Sequence, residues 1–154
     1  MKQTLAVINT LLVEIFNNIL TIEEDALKEG TFYDISVTEV HTVDTIGMYG
    51  TKSMSEVAKA LDITVGTLTV AINNLVKKGY VERFRSEIDR RVVNIGLTKK
   101  GRLLWRVHEQ FHMNMVKATI DGLTEEEEIM LSNSLLKLSS FLQEKYISSK
   151  GEKG

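Results

Sequence analysis

Apolar residues recur at alternating steps of three and four from the start of the chain: Leu5, Ile8, Leu12, Ile15, Ile19, Ile22 and Ala26, with Leu11, Phe16 and Leu20 widening the stripe. This heptad-like seam predicts a helix over about residues 3–28. Near the other end, Thr124-Glu125-Glu126-Glu127 has the form of a capping box, and Leu131, Leu135, Leu138, Leu142 and Tyr146 follow at helical spacing. Either helix alone reads as a core helix of its own domain, but the short chain between them holds too little to cover both stripes. A homodimer built through the first and last helices is the expectation, with dimerisation segments over about 3–28 and 98–147. Between the ends, Ser36-Val37-Thr38-Glu39 caps a helix carrying Val40, Val43 and Ile46, and Gly47-Met48-Tyr49-Gly50 reads as a loop. Thr98 starts a long helix striped by Leu104, Val107, Phe111 and Met115, which Asp121-Gly122 stops. The tail 148–154 is Ser, Lys, Gly and Glu and is expected to be disordered.

The centre of the chain changes character. Ser53-Met54-Ser55-Glu56 is a capping box, Val57, Ala58 and Leu61 continue at helical spacing, and Asp62-Ile63-Thr64 breaks the pattern. A second helix follows from Thr64, with Leu68, Ile72 and Leu75 on one face and Gly66, Val70, Asn73 and Lys77 opposite, flanked by Thr67, Thr69 and Asn74. No acidic residue stands between Asp62 and Glu82, so this face lacks the Glu–Lys lacing of an ordinary solvated helix. Small polar side chains at a helix N-terminus let free N–H groups and the helix dipole come close to phosphates and base edges. Gly79 ends the helix, and Tyr80-Val81-Glu82-Arg83 and Val92-Val93-Asn94-Ile95-Gly96-Leu97 pair as strands around a tip carrying Arg85, Arg90 and Arg91. The predicted fold is mainly α: a winged helix-turn-helix over about 34–100 with a two-stranded wing, inside a single domain of residues 1–147.

Charge sharpens this reading. From Lys77 to Arg106 there are ten Lys and Arg against three acids, a local charge of +7 in a chain whose net charge is −2. Such asymmetry points to a polyanion. A basic hairpin can also be a solvated edge, but one that follows a capped helix-turn-helix fits DNA better. The helix offers Gly66, Thr67, Thr69, Val70, Asn73, Asn74 and Lys77 to the major groove, and the wing offers Arg83, Arg85, Arg90 and Arg91. With no cysteine the chain has no disulfide, no thiolate ligand and no peroxide-sensing thiol. No run of some eighteen apolar residues is evident, which predicts no membrane span and a cytoplasmic protein. No nucleophile elbow, phosphate-cradling loop or other catalytic constellation emerges, and no cofactor is implied.

Two stretches then carry a family resemblance. Asp89-Arg90-Arg91, five residues, and Leu97-Thr98-Lys99-Lys100-Gly101 resemble the wing signature of the MarR family of bacterial transcription regulators, and Asn74 to Arg83 resembles the family's recognition-helix exit. Ile15 to Leu20, Glu39 to Asp44 and Leu97 to Leu103 are similar to the branch that represses fatty-acid synthesis genes in Gram-positive bacteria. The resemblance implies a dimeric repressor on a palindromic operator, with a long-chain acyl group on acyl carrier protein as co-repressor. It also implies that Asp89 orients the wing by holding Arg91, leaving Arg90 as the tip contact. By the same analogy an effector cavity is lined by Phe16, Ile19, Leu20, Ile22, Val40, Val43, Leu104, Val107 and Phe111, an apolar lining that suits an acyl chain, though each of these residues equally fits an ordinary filled core. Arg102 and Arg106, four apart on the long helix, offer a surface for acyl carrier protein, though such a pair also occurs on any solvated helix.

His41, His108 and His112 leave another reading open. His108 and His112 stand at a metal-chelating spacing, with His41 or Glu24 to complete the set, and a zinc-sensing branch of the family is similar in its histidines. Equally, these histidines hydrogen-bond carboxylates or backbone, with no metal. The alternatives to an acyl-responsive repressor are thus a zinc- or other small-ligand-responsive regulator and a winged-helix module for protein contact.

Overall fold

A computed structural model describes residues 1–147; the tail expected to be disordered lies outside them. The elements run α1 (Lys2–Glu29), α2 (Val37–Ile46), β1 (Lys52–Ser53), α3 (Met54–Leu61), α4 (Val65–Lys77), β2 (Val81–Arg85), β3 (Val93–Leu97), α5 (Lys99–Ile120) and α6 (Glu125–Leu142), closed by a π-helical turn over Gln143–Ile147. The fold is mainly α with a winged helix, as the hydrophobic pattern predicts. The chain divides into two compact units, Met1–Gln110 and Phe111–Gly154.

The helix starts follow their caps. Ser36 with Glu39, Ser53 with Glu56 and Thr124 with Glu127 each form the reciprocal capping box, the hydroxyl accepting the N3 amide while the Glu carboxylate accepts the cap's own N–H. Thr64 Oγ1 accepts the Thr67 N–H at 3.1 Å to start α4. Between α3 and α4, Asp62 adopts the left-handed conformation with φ 54°, which makes the turn tight.

The core of the first unit is closed. Val43, Ile46, Val57, Leu68, Ile72, Leu75, Tyr80 and Ile95 are fully buried, joined by Val40, Val81, Leu97 and Leu104. All three apolar positions predicted for the inner face of α4 are among them. The sheet differs from expectation in one respect: it has three strands in the order β1-β3-β2, because Lys52 and Ser53 pair with Ile95 and Asn94. Two residues, the second of them the helix cap Ser53 itself, carry no periodicity, so this strand has no sequence signature of its own. Lys52 Nζ also donates to the Thr45 carbonyl at 2.7 Å, satisfying an open group near the end of α2.

Gly101 marks a close approach. A Cβ at this position would stand 2.1 Å from the Tyr80 carbonyl oxygen, so the first turn of α5 reaches the chain entering β2 only without a side chain. Thr98 fixes the same junction: its hydroxyl donates to the Gly79 carbonyl at 2.6 Å and accepts the Gly101 N–H at 3.1 Å.

The terminal helices look different. On α1, Leu5, Ile8, Leu12, Ile15 and Ile22 are 43–63% exposed, and the helix's buried residue is Glu23. Leu135, Leu138 and Leu142 of α6 and Tyr146 of the π-helical turn are exposed, and no described residue of either element is buried. By length and composition alone α1 could cross a membrane, its most apolar 18-residue window having a mean hydropathy of 1.7. Polar Thr10, Glu14, Asn17, Asn18 and Thr21 interrupt that apolar surface.

Candidate nucleic-acid interface

The outer face of α4 is available from end to end. Gly66, Thr67, Val70, Asn73, Asn74 and Lys77 are exposed, whereas Thr69 is half-buried and donates its hydroxyl to the Val65 carbonyl at 2.8 Å. At Gly66 a methyl group would meet nothing closer than Thr64 Oγ1 at 3.9 Å, so packing inside the protein does not demand this glycine. What it provides is clearance over the first turn of α4, where N–H groups left outside the helix ladder attract anions.

The wing is tied to that helix. In the antiparallel register Arg83 stands opposite Ile95 and Arg85 opposite Val93, so both arginines share the face that Val81 and Leu97 bury against the core. Arg83 donates from Nη2 to the Asn73 side-chain carbonyl, which joins the wing to the middle of α4. Phe84 and Gly96 lie on the opposite face, with the Phe84 ring over Gly96.

At the tip, Asp89 and Arg91 are paired. Asp89 Oδ1 accepts the Arg91 backbone N–H at 3.0 Å and Nε at 3.2 Å, and Oδ2 accepts Nη2 at 3.4 Å. The Arg91 hydrogen bonds hold the Asp89 carboxyl below its ordinary pKa. Arg90 is exposed beside this pair.

Behind the wing, buried Tyr80 donates its hydroxyl to Asp34 Oδ1 at 2.6 Å, and Lys100 Nζ stands 4.2 Å from its ring centroid. Burial, then the hydrogen bond to Asp34, pushes the Tyr80 phenol well above its ordinary pKa. Lys78 Nζ donates to both oxygens of buried Glu39, at 2.8 and 3.0 Å, and so couples the end of α4 to the cap of α2.

The residues named for an effector are dispersed. Val40, Val43 and Leu104 are sealed in the core, Ile19 and Phe111 are half-buried, and Phe16, Leu20, Ile22 and Val107 are exposed. Arg102 corrects its expected exposure: it is half-buried and donates from Nη1 to the Leu97 carbonyl at 2.8 Å, bracing the end of β3. Arg106 is exposed.

The histidines assemble with an acid that sequence reasoning missed. His108 Nε2 is 3.0 Å from Glu23 Oε1, and His41 Nε2 is 3.7 Å from Glu23 Oε2. Asp44 stands 3.9 Å from His108 Nδ1. Glu23, His41 and His108 present one ligand atom each within 4.8 Å of one another. Glu24, the acid expected, pairs instead with Lys28 at 2.7 Å, and His112 packs edge-on against Phe111. The signal for Glu23 was in the seam: it falls four residues after Ile19 and one after Ile22, on the apolar side where a solvated acid has no place.

A capped helix with a small, acid-free outer face, joined to a basic hairpin, defines the class: a winged-helix protein that meets nucleic acid. Comparison with known proteins gives the family. The MarR family model matches residues 35–93. The HTH-type transcriptional regulator BilQ of Clostridium symbiosum is 32% identical over 139 residues, spanning 90% of this chain and 92% of its own. Among solved structures, Streptococcus pneumoniae FabT in complex with DNA is 50% identical with a TM-score of 0.83, over 90% of this chain and 97% of that one. The S. aureus MepR-DNA complex is 26% identical with a TM-score of 0.69, over 87% of this chain and 97% of that one. The chain belongs to the MarR family and is a DNA-binding transcriptional regulator, not an enzyme.

Proposed function

We propose that this regulator is a homodimeric cytoplasmic repressor of fatty-acid biosynthesis genes, and that long-chain acyl-acyl carrier protein raises its affinity for a palindromic operator. The observation that carries this reading is 50% identity to FabT across nine-tenths of the chain, which agrees with the branch resemblance of the motifs. The exposed stripes of α1 and α6 support a second copy as their cover, because monomers rarely leave so much contiguous apolar surface to water. In such a dimer α4 of each copy enters the major groove, with Asn73 and Asn74 on base edges and Lys77 on phosphate, while Arg90 enters the adjacent minor groove.

An acyl chain favours one spacing of the two heads only by binding that state more tightly than the other. The exposed apolar residues Phe16, Leu20 and Val107 offer it a first contact, and entry to Val40, Val43 and Leu104 requires the core to open. The test is operator binding by the purified protein alone, with acyl carrier protein carrying a long chain or none, and with zinc or a chelator. Tightening by the long-chain form alone supports the reading.

One observation favours a second reading. Glu23, His41 and His108 offer a carboxylate and two imidazole nitrogens, a donor set that suits zinc with a fourth position left for water. Tightening by zinc that His108→Ala abolishes replaces the lipid reading with a metal one.

A further inference from the structure

Ile88 is fully exposed, at 100% of its surface, on the tip of the wing. No other aliphatic side chain between Phe32 and Leu97 approaches this; the next, Val70 on the outer face of α4, is 63% exposed. A β-branched residue at a turn apex is unusual, because turn positions favour Gly, Asn, Asp and Ser. The turn holding it is well tied. Ser86 Oγ accepts the N–H groups of both Ile88 and Asp89 at 3.3 Å, the Ser86 N–H donates to the Val92 carbonyl at 3.0 Å, and the Val92 N–H donates to the Asp89 carbonyl at 2.9 Å. The Asp89–Arg91 pair closes the other side.

We infer that Ile88 is a DNA contact: an apolar side chain that the wing seats between the deoxyribose walls of the minor groove, beside Arg90. The charge of the tip selects this partner. Arg85, Arg90 and Arg91 flank Ile88 in the sequence of the hairpin, Arg91 compensates Asp89, and Glu87 is the one remaining acid on the turn. An acidic protein surface would satisfy the arginines but gives an isoleucine on a tied turn nothing to enter, whereas the minor groove combines phosphate rims with apolar deoxyribose walls. Minor-groove proteins insert such apolar side chains beside their basic ones. Burying Ile88 adds affinity that ionic strength does not screen, because no counterion is released by an apolar contact. This inference rests on the wing meeting the minor groove, as proposed above.

The experiment is fluorescence anisotropy of the full chain on its selected operator duplex across a salt series, comparing Ile88→Ser, Ile88→Leu and Arg90→Ala with the parent. Ile88→Ser is expected to weaken binding by about five- to twentyfold at every salt concentration, the loss for uncovering two or three partly buried methyl and methylene groups. The slope of log affinity against log salt stays that of the parent, and Ile88→Leu keeps most of the affinity. Arg90→Ala instead flattens the slope by about 0.9 for each copy bound, about 1.8 for the dimer. The unfolding midpoint of each variant stays at the parent value, since a fully exposed side chain contributes no packing. If Ile88→Ser binds as tightly as the parent while Arg90→Ala does not, the inference is overturned and the wing placement stands. If neither variant changes binding, the wing placement itself has failed. An Ile88→Ser effect seen only with acyl carrier protein present makes the side chain a protein contact and also overturns the inference.

Discussion

The winged helix and the terminal helices are built from equally regular apolar patterns, yet only one of them closes on itself. Leu68, Ile72 and Leu75 of α4 recur at steps of four and three and are completely buried; Leu5, Ile8, Leu12 and Ile15 of α1 recur in the same way and stand half in water. Periodicity states that a face needs cover. It does not state whether the cover is the same chain. The difference separates what this protein needs to fold locally from what it needs to assemble, and the sharpest experiments act on one region and leave the other alone.

The largest effect is expected at the seam. A charge at its middle, as in Ile15→Lys or Leu138→Lys, is predicted to abolish the dimer at micromolar concentration in light scattering, because burying an unpaired ammonium costs several kcal/mol. The closed core of the first unit should keep its near-ultraviolet dichroism. A dimer that survives both substitutions would place its interface elsewhere.

Next comes Gly101→Ala, which drives a methyl group against the Tyr80 carbonyl. It is expected to cost about 3 kcal/mol in urea unfolding, the upper range for overpacking; an unchanged midpoint would mean that α5 shifts freely against the chain entering β2.

Asn73→Ala is expected to cost about 1 to 3 kcal/mol of operator affinity and to relax specificity. Since Asn73 also holds Arg83, a double-mutant cycle with Arg83→Ala should show coupling; strict additivity would show that the two act separately. Lys77→Ala should weaken all duplexes alike and reduce the salt slope.

The smallest effect belongs to Tyr80→Phe, expected to lose about 1 kcal/mol with its hydrogen bond to Asp34. The sign of its pH dependence follows from the raised phenol pKa. The folded state holds the proton more tightly, so this stabilisation is complete below the ordinary value of 10.0 and is lost as pH rises above it through the higher folded value. The parent should therefore lose stability above pH 10 more steeply than Tyr80→Phe; parallel curves would remove the phenol from the account.

Most of the fold was legible because it is local. Capping boxes at Ser36, Ser53 and Thr124 and the break at Asp62 declare helix ends within four residues, and the structure has them where the pattern put them. What was hidden depends on contacts between distant segments. β1 gains its identity only from β3, Arg102 is drawn inward by a carbonyl of the wing, and Glu23 becomes a buried partner of two histidines only when α1, α2 and α5 meet. The outer face of α4 sits between these cases. Its composition was plain in the sequence, whereas its link to the wing through Asn73 and Arg83 was not.

The central claim is that α4 and the wing of two copies read duplex DNA, and selection of duplexes from a random pool by the purified full chain tests it most directly. The account predicts enrichment of an inverted repeat whose half-sites lie about 34 to 36 Å apart, one helical turn. Enrichment of a single unrepeated site, or of no sequence at all, would contradict it.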